Sequence, residues 1–120
     1  MSESRSRGGG SRGGGLVITR IGHTDRDLPA DHDLLVTLEA YDLEAFGETG
    51  LRTYDLAVMT QAGAVYLAHL ADEIVGGCQL LRVLDNPGFF YMVGFYIRPA
   101  WRGRGFGRAF LLEVAEETRE

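Results

Sequence analysis

The sequence predicts one small α/β domain of the α+β type: a mixed, mostly antiparallel sheet with flanking helices. The expected order is strand-helix-helix-strand-strand-strand-helix. Three features carry that expectation. Apolar residues recur at three- and four-residue spacing in the first half of the chain. Two strand-like runs follow, with only Ala71-Asp72-Glu73 between them. A third run then ends in a Gly- and Arg-rich loop that leads into another amphipathic stretch. With 120 residues, 45% of them hydrophobic, the chain can bury one core and no more.

Residues 1–15 are Gly, Ser, Arg and one Glu, with no apolar side chain after Met1. Such a segment cannot bury enough surface to offset its backbone entropy, so it is expected to be a disordered leader. Its two Arg-Gly-Gly repeats, at Arg7 and Arg12, are too few to read as an RNA-binding tail. Order is expected from Leu16. Leu16-Val17-Ile18-Thr19-Arg20-Ile21 is β-branched and short, which suits a first strand. Pro29 and Asp31 then prepare a helix from about Ala30 to Phe46, its buried face formed by Leu34, Leu35, Leu38, Tyr41 and Ala45. Gly47 to Gly50 break it, and a shorter helix is expected from about Arg52 to Gln61, stopped by Gly63.

Residues 64–70 and 74–83 alternate as strands, and the short connection between them predicts an antiparallel hairpin. Asp85-Asn86-Pro87-Gly88 is composed of turn formers. Residues 89–97 are apolar at every second position on both faces, which predicts a central strand covered on both sides. Gly94 within it suggests a bulge or a close backbone approach. The last helix is expected to bury Phe106, Phe110, Leu111, Val114 and Ala115. Glu113, Glu116, Glu117 and Glu120 crowd its C-terminal end, where the macrodipole disfavours acids, and no Gly or Asn cap follows. The pattern reads as a domain truncated at its C-terminus.

Composition narrows the function. The formal net charge is -5 and the chain contains no lysine, so general nucleic-acid binding is not expected. No stretch is long and apolar enough to span a membrane, and the N-terminus lacks an apolar signal core, so a cytoplasmic protein is expected. The lone Cys78 lies in an apolar run and reads as a small buried hydrophobe. His23, His32 and His69 stand apart from other ligand-type residues, so no metal site is expected.

One segment departs from the acidic background. Between Asn86 and Leu112 there is no Asp or Glu, while Arg98, Arg102, Arg104 and Arg108 fall within eleven residues. They stand where a strand ends and a helix begins. A helix N-terminus offers unpaired N–H groups and partial positive charge, which together favour an anion. Gly103, Gly105 and Gly107 allow the backbone to curl closely round a phosphate, and arginines add charge-assisted hydrogen bonds. A Walker A loop would need a lysine, and a dinucleotide fingerprint would need glycine where Arg108 stands.

Residues 97–108, Ile97-Arg98-Pro99-Ala100-Trp101-Arg102-Gly103-Arg104-Gly105-Phe106-Gly107-Arg108, resemble the acyl-CoA signature of the GNAT superfamily. In that signature an aliphatic strand end is followed by Pro two positions later and then by Q/R-x-x-G-x-G/A. The order of elements resembles the first half of the GNAT fold over residues 16–120. The resemblance implies that the backbone from Gly103 to Arg108, Phe106 and Gly107 included, holds the CoA pyrophosphate, with Arg104 and Arg108 as side-chain contacts. It implies that Phe95, Tyr96 and Ile97 pair their backbone with the pantetheine arm. Arg102, Gly105 and Gly107 fill the defining positions.

The resemblance further implies an N-acetyltransferase that takes acetyl-CoA or another acyl-CoA as co-substrate, uses no metal, and acylates a primary amine by direct attack on the thioester. The acceptor would be a small molecule or a peptide, and a homodimer is possible. A non-catalytic CoA-binding or interaction module is the alternative. No catalytic residue is assigned. Tyr91 occupies a strand position that carries an acid in some family members and is read as a packing residue, while Glu44, Glu48 and Tyr54 are candidates for the acceptor side.

Overall fold

The computed structural model describes residues 15–22, 31–86 and 88–119. The expected leader, His23, Pro29, Ala30, Pro87 and Glu120 lie outside the described residues, apart from Gly15 at the leader's end. The elements are β1 (Val17–Arg20), α1 (His32–Phe46), α2 (Thr53–Gln61), β2 (Val65–Leu70), β3 (Glu73–Arg82), β4 (Phe90–Ile97) and α3 (Phe106–Glu117). Single 3₁₀ turns at Gly47–Thr49 and Pro99–Trp101 complete the order. This is the predicted succession.

Local chemistry explains the boundaries. Asp31 caps α1, its Oδ1 accepting from the Leu34 N–H at 2.8 Å. Gly47, at φ +65°, ends the helix by returning its N–H to the Leu43 carbonyl. At the start of α2 the Asp55 side chain accepts from the Arg52 N–H at 3.0 Å. Glu39 of α1 ties the two helices together by pairing with Arg52 at 2.8 Å and accepting from the Thr53 hydroxyl. The Thr53 hydroxyl first and Arg52 second hold the Glu39 carboxyl below its ordinary pKa.

The four strands lie in the order β1-β2-β3-β4, and all three pairings are antiparallel among the described residues. The β2–β3 connection is tighter than expected: Glu73 belongs to β3 and pairs with Leu70. Between β3 and β4 the register slips, with Gln79 opposite Gly94 and Leu80 opposite Met92. Val93 is thus the extra residue of a bulge, next to the glycine that suggested one.

Two apolar layers cover the sheet. On one face α3 supplies Phe106, Phe110 and Val114 against Leu16, Tyr66, Ala68, Cys78, Leu80 and Ile97. On the other, Leu35 and Leu38 of α1 and Leu56 of α2 meet Ile21, Val65 and Leu67.

Two expectations about packing need correction. β4 is the terminal strand of the described sheet, not a central one. Helices cover only its second half, so Tyr91 is 65% exposed and does not pack as expected. In α3 the buried stripe passes through Glu113 and omits Leu111 and Ala115. At about 100° per residue, position 113 lies some 20° from Phe106 round the helix, whereas 111 and 115 lie on the far side.

Candidate functional site

The end of β4 sets the site. Ile97 is buried in the α3-side core, and the Arg98 N–H continues the β3 ladder by donating to the Val75 carbonyl at 2.8 Å. The Pro99–Trp101 turn then reverses the chain, and Trp101 anchors it by packing 6.3 Å from Phe106, centroid to centroid. Gly103 and Gly105 adopt φ of +80° and +82°, a region in which a Cβ is strained, and nothing crowds the space a side chain there would enter. Gly105 caps α3, whose first backbone bond runs from the Ala109 N–H to the Gly105 carbonyl. The N–H groups of Gly103 to Arg108 therefore have no backbone acceptor among the described residues.

The four clustered arginines separate into two pairs. Arg102 folds back, its Nε donating to the Ile97 carbonyl at 2.7 Å, so this side chain closes the loop onto the strand. Arg98 points to α1, where it lies 3.8 Å over the Tyr41 ring and pairs with Glu44 at 3.2 Å. Arg104 and Arg108 are exposed, with Arg104 5.2 Å over the Trp101 ring. The loop thus offers backbone donors and two outward guanidiniums with no nearby acid in the sequence, an arrangement suited to a pyrophosphate.

The other predicted residues lie at the end of β4 and on the first turn of α3. Phe95 faces α3 and packs 5.2 Å from Phe110, while Tyr96 faces α1 and meets the Phe46 ring edge-on at 5.9 Å. One edge of this strand is bonded to β3; its other edge carries no strand among the described residues. Gly107 is half-buried on the first turn of α3, and its Cβ position lies 3.6 Å from Ile97.

Across the sheet, the α1–α2 junction forms a groove of about 410 Å³ lined by Glu39, Leu43, Glu48, Gly50, Leu51 and Arg52. Of the residues proposed for that side, Glu48 borders the groove, Glu44 is paired with Arg98, and Tyr54 is 79% exposed.

Two polar residues escaped the sequence reading. Asp42 of α1 is 1% exposed; its Oδ1 accepts from the Leu51 N–H at 3.3 Å, and its Oδ2 has no partner. Burial pushes the Asp42 carboxyl above its ordinary pKa, and the Leu51 bond only partly opposes that. Gln79 of β3 is 2% exposed, and its Oε1 is also without a partner. Burial raises the Tyr96 phenol, and the nearby Asp42 carboxylate adds to the effect. The available signal was an acid at the helical spacing of Leu35 and Leu38, and a lone Gln inside an apolar strand.

Cys78 is fully buried, which pushes its thiol up to about 12, so it packs and does not act as a nucleophile at neutral pH. His69 is hydrogen-bonded to the Thr19 hydroxyl at 2.9 Å, and burial lowers its pKa; His32 is exposed at the start of α1.

The family model described as the acetyltransferase (GNAT) family matches residues 31–120. The chain belongs to this family. The GNAT match includes the helices, the hairpin, β4 and the whole Arg102–Arg108 loop. No curated protein matches the sequence. Solved GNAT-like structures show the shared fold. Diaminobutyrate acetyltransferase from Paenibacillus lautus, in complex with L-2,4-diaminobutyric acid and coenzyme A, aligns at TM-score 0.66 and 14% identity over 83% of this chain and 56% of its own. The ribosomal-protein-S18-alanine N-acetyltransferase from Escherichia coli gives 0.62 and 14% over 86% and 59%. An aminoglycoside acetyltransferase from an uncultured soil metagenomic sample gives 0.59 and 22% over 85% and 70%. The chain spans less than two thirds of the first two structures. Among the described residues, no helix is long and apolar enough to cross a membrane.

Proposed function

We propose that residues 16–120 form an acyl-CoA-binding domain and that the protein is an N-acetyltransferase acting on a primary amine. The observation that carries this reading is the loop conformation: Gly103 and Gly105 stand at positive φ at the start of α3, and the N–H groups from Gly103 to Arg108 have no backbone acceptor among the described residues. The fit is chemical as well as geometric. A pyrophosphate is acceptor-only and dianionic, and the loop presents donors, the positive end of α3 and the guanidiniums of Arg104 and Arg108.

In this reading the unpaired edge of Phe95, Tyr96 and Ile97 orients the pantetheine arm through its backbone. The bound thioester supplies an activated acyl carbon. A neutral amine attacks that carbon, the C–S bond breaks, the amine gives up a proton, and the thiolate takes one. Backbone N–H groups of β4 are the donors available to a developing oxyanion. Bulged Val93, beside Gly94, is where the β3–β4 ladder is interrupted.

The test is thermal denaturation with acetyl-CoA. A ligand that binds only the folded state adds about 2.7 kcal/mol at a hundred times its Kd, so a clear rise in Tm is expected. Replacing Arg104 and Arg108 together with Ala weakens binding ~10-fold or more, whereas replacing Arg20 and Arg52 does not. Absence of any shift at millimolar CoA would remove the loop from the account. Release of free thiol with a panel of amines separates a transferase from a module that only binds CoA.

A further inference from the structure

β4 ends the sheet with one edge bare. β3 is bonded to its inner edge, and no strand lies along the other among the described residues. Natural sheets blunt such an edge with charge or proline, because its free N–H and C=O groups recruit further strands. Neither device is built into this one: residues 88–97 contain no charged side chain and no proline. Helices reach only the second half of the strand, so Tyr91 and Met92 are 65% and 40% exposed, and Phe89 just before them 62%. In a chain of net charge -5, this is a strip on which two copies meet without repulsion.

The ladder to β3 fixes which backbone groups point outward. Val83 donates its N–H to the Phe89 carbonyl at 3.1 Å, while Leu80 donates away from β4, to the Ala64 carbonyl at 2.9 Å. Antiparallel pairs alternate between bonded and non-bonded. Counting from the 83–89 bond, Tyr91 falls in a bonded pair with Leu81. Phe90 opposite Arg82 and Met92 opposite Leu80 fall in non-bonded pairs. The N–H and C=O of Phe90 and Met92 therefore face away from β3. The same count from the bond between the Arg98 N–H and the Val75 carbonyl turns Phe95 and Ile97 outward as well. The bulge at Val93 separates the two outward sets.

The Phe90 and Met92 groups are complementary to themselves about a two-fold axis. With the axis at Tyr91, Phe90 of one copy stands opposite Met92 of the other, and each such pair exchanges two hydrogen bonds. We propose that the chain forms a dimer in which two β4 strands pair antiparallel about Tyr91, joining both sheets into one. Tyr91 meets its own copy in a non-bonded pair, where opposed side chains come closest. Phe90 packs beside the second copy's Met92 on the α3 face, a ring against a thioether. The pairing stops there. Position 95 falls opposite position 87, ahead of the strand that begins at Phe90, so the outward groups of Phe95 and Ile97 stay free. The dimer is thus compatible with the acyl-CoA reading and does not rest on it. The two copies together bury on the order of 1,000 Å², the low end for a specific contact, which suits association in the micromolar range.

The experiment is sedimentation velocity of the full chain from about 1 to about 200 µM, where the dimer fraction is expected to rise with concentration. Tyr91→Lys sets like charges against each other across the axis and weakens association ~10-fold or more. Leu112→Lys, at a position of α3 that is 56% exposed, leaves association unchanged. Both sites are exposed, so neither variant tests the core. Tyr91→Cys reads the register directly. The Cα atoms of a non-bonded pair lie ~4.5 Å apart, within disulfide reach, so mild oxidation cross-links that variant and not Leu112→Cys. The native Cys78 is buried and does not compete. The inference is overturned by a wild type that stays monomeric at the highest concentration, by undiminished association of Tyr91→Lys, by loss on Leu112→Lys instead, or by no cross-link through Tyr91→Cys. Saturating acetyl-CoA leaves the dimer intact; dissociation by it would give the edge to that ligand and overturn the pairing. A dimer without an acetyl-CoA thermal shift removes the acyl-CoA site alone, and a shift in a monomer removes the dimer alone.

Discussion

The two faces of the sheet are built to different rules. On the α3 face the buried layer is almost wholly apolar, running from Leu16 through Ala68, Cys78 and Leu80 to Phe106, Phe110 and Val114. On the α1 face the buried layer includes Asp42, Thr60 and Gln79, each with an oxygen that has no partner. The first face gains stability from the apolar side chains it buries, with the acid Glu113 the exception at its edge. The second gives some of that up where the helix α1 meets β3 and β4. The same strand serves both, since Phe95 and Ile97 face α3 while Tyr96 faces α1. Stability is thus concentrated behind the loop that α3 carries, and unsatisfied polarity on the α1 face.

The strongest way to break this comparison is to cut into the α3 face. Phe110 is fully buried and packs against Phe95. Phe110→Ala is expected to cost about 3–5 kcal/mol, a large part of the ~5–15 kcal/mol available to a small domain. Chemical denaturation measures it. A cost below about 1 kcal/mol would mean that the α3 face is not the main source of stability.

The same contrast explains what the sequence could and could not reveal. Element order, the hairpin, the helix break at Gly47 and the Gly- and Arg-rich loop all follow from short-range signals, namely periodicity, turn residues and glycine positions. The roles of the four arginines do not. Arg98 and Arg102 look equivalent to Arg104 and Arg108 in the sequence, yet tertiary contacts turn the first toward Glu44 and the second onto the Ile97 carbonyl. Asp42 was passed over because an acid interrupts an apolar stripe, and periodicity gives polar residues no weight even at the right spacing. β4 misled for the converse reason: an apolar run reports that a strand can be covered on both faces, not that helices reach its whole length. Tyr91 and Phe89 lie beyond that reach, 65% and 62% exposed.

A smaller effect sharpens the comparison from the polar side. Burial raises the pKa of Asp42 in the folded protein above its unfolded value. Its stabilising contribution is therefore fully present below the unfolded pKa and is lost as pH rises through the folded one. Wherever the carboxyl is ionised, the folded state carries a desolvated charge. Asp42→Asn keeps an oxygen for the Leu51 N–H and removes that charge, so it is expected to raise Tm by about 4 °C at pH 8, roughly 1 kcal/mol in a domain of this size. The gain shrinks as pH falls toward the carboxylate range, where the wild-type carboxyl takes up its own proton. Thermal denaturation at pH 8 and in that range checks the sign. A loss of stability at pH 8 would show that the charge has a favourable partner and that the α1 face is better satisfied than its hydrogen bonds indicate.

The smallest effect tests what an unsatisfied oxygen costs the α1 face. Thr60 of α2 is 3% exposed, with an unpartnered Oγ1. Its backbone carbonyl already accepts from Ala62 and Gly63, bonds that substitution leaves intact. Thr60→Val replaces the hydroxyl with a methyl of similar shape, so it is expected to change stability by less than about 1 kcal/mol, toward the stabilising side. Thermal denaturation measures it, and a loss of more than about 1 kcal/mol would show that the Thr60 hydroxyl is better satisfied than its hydrogen bonds indicate.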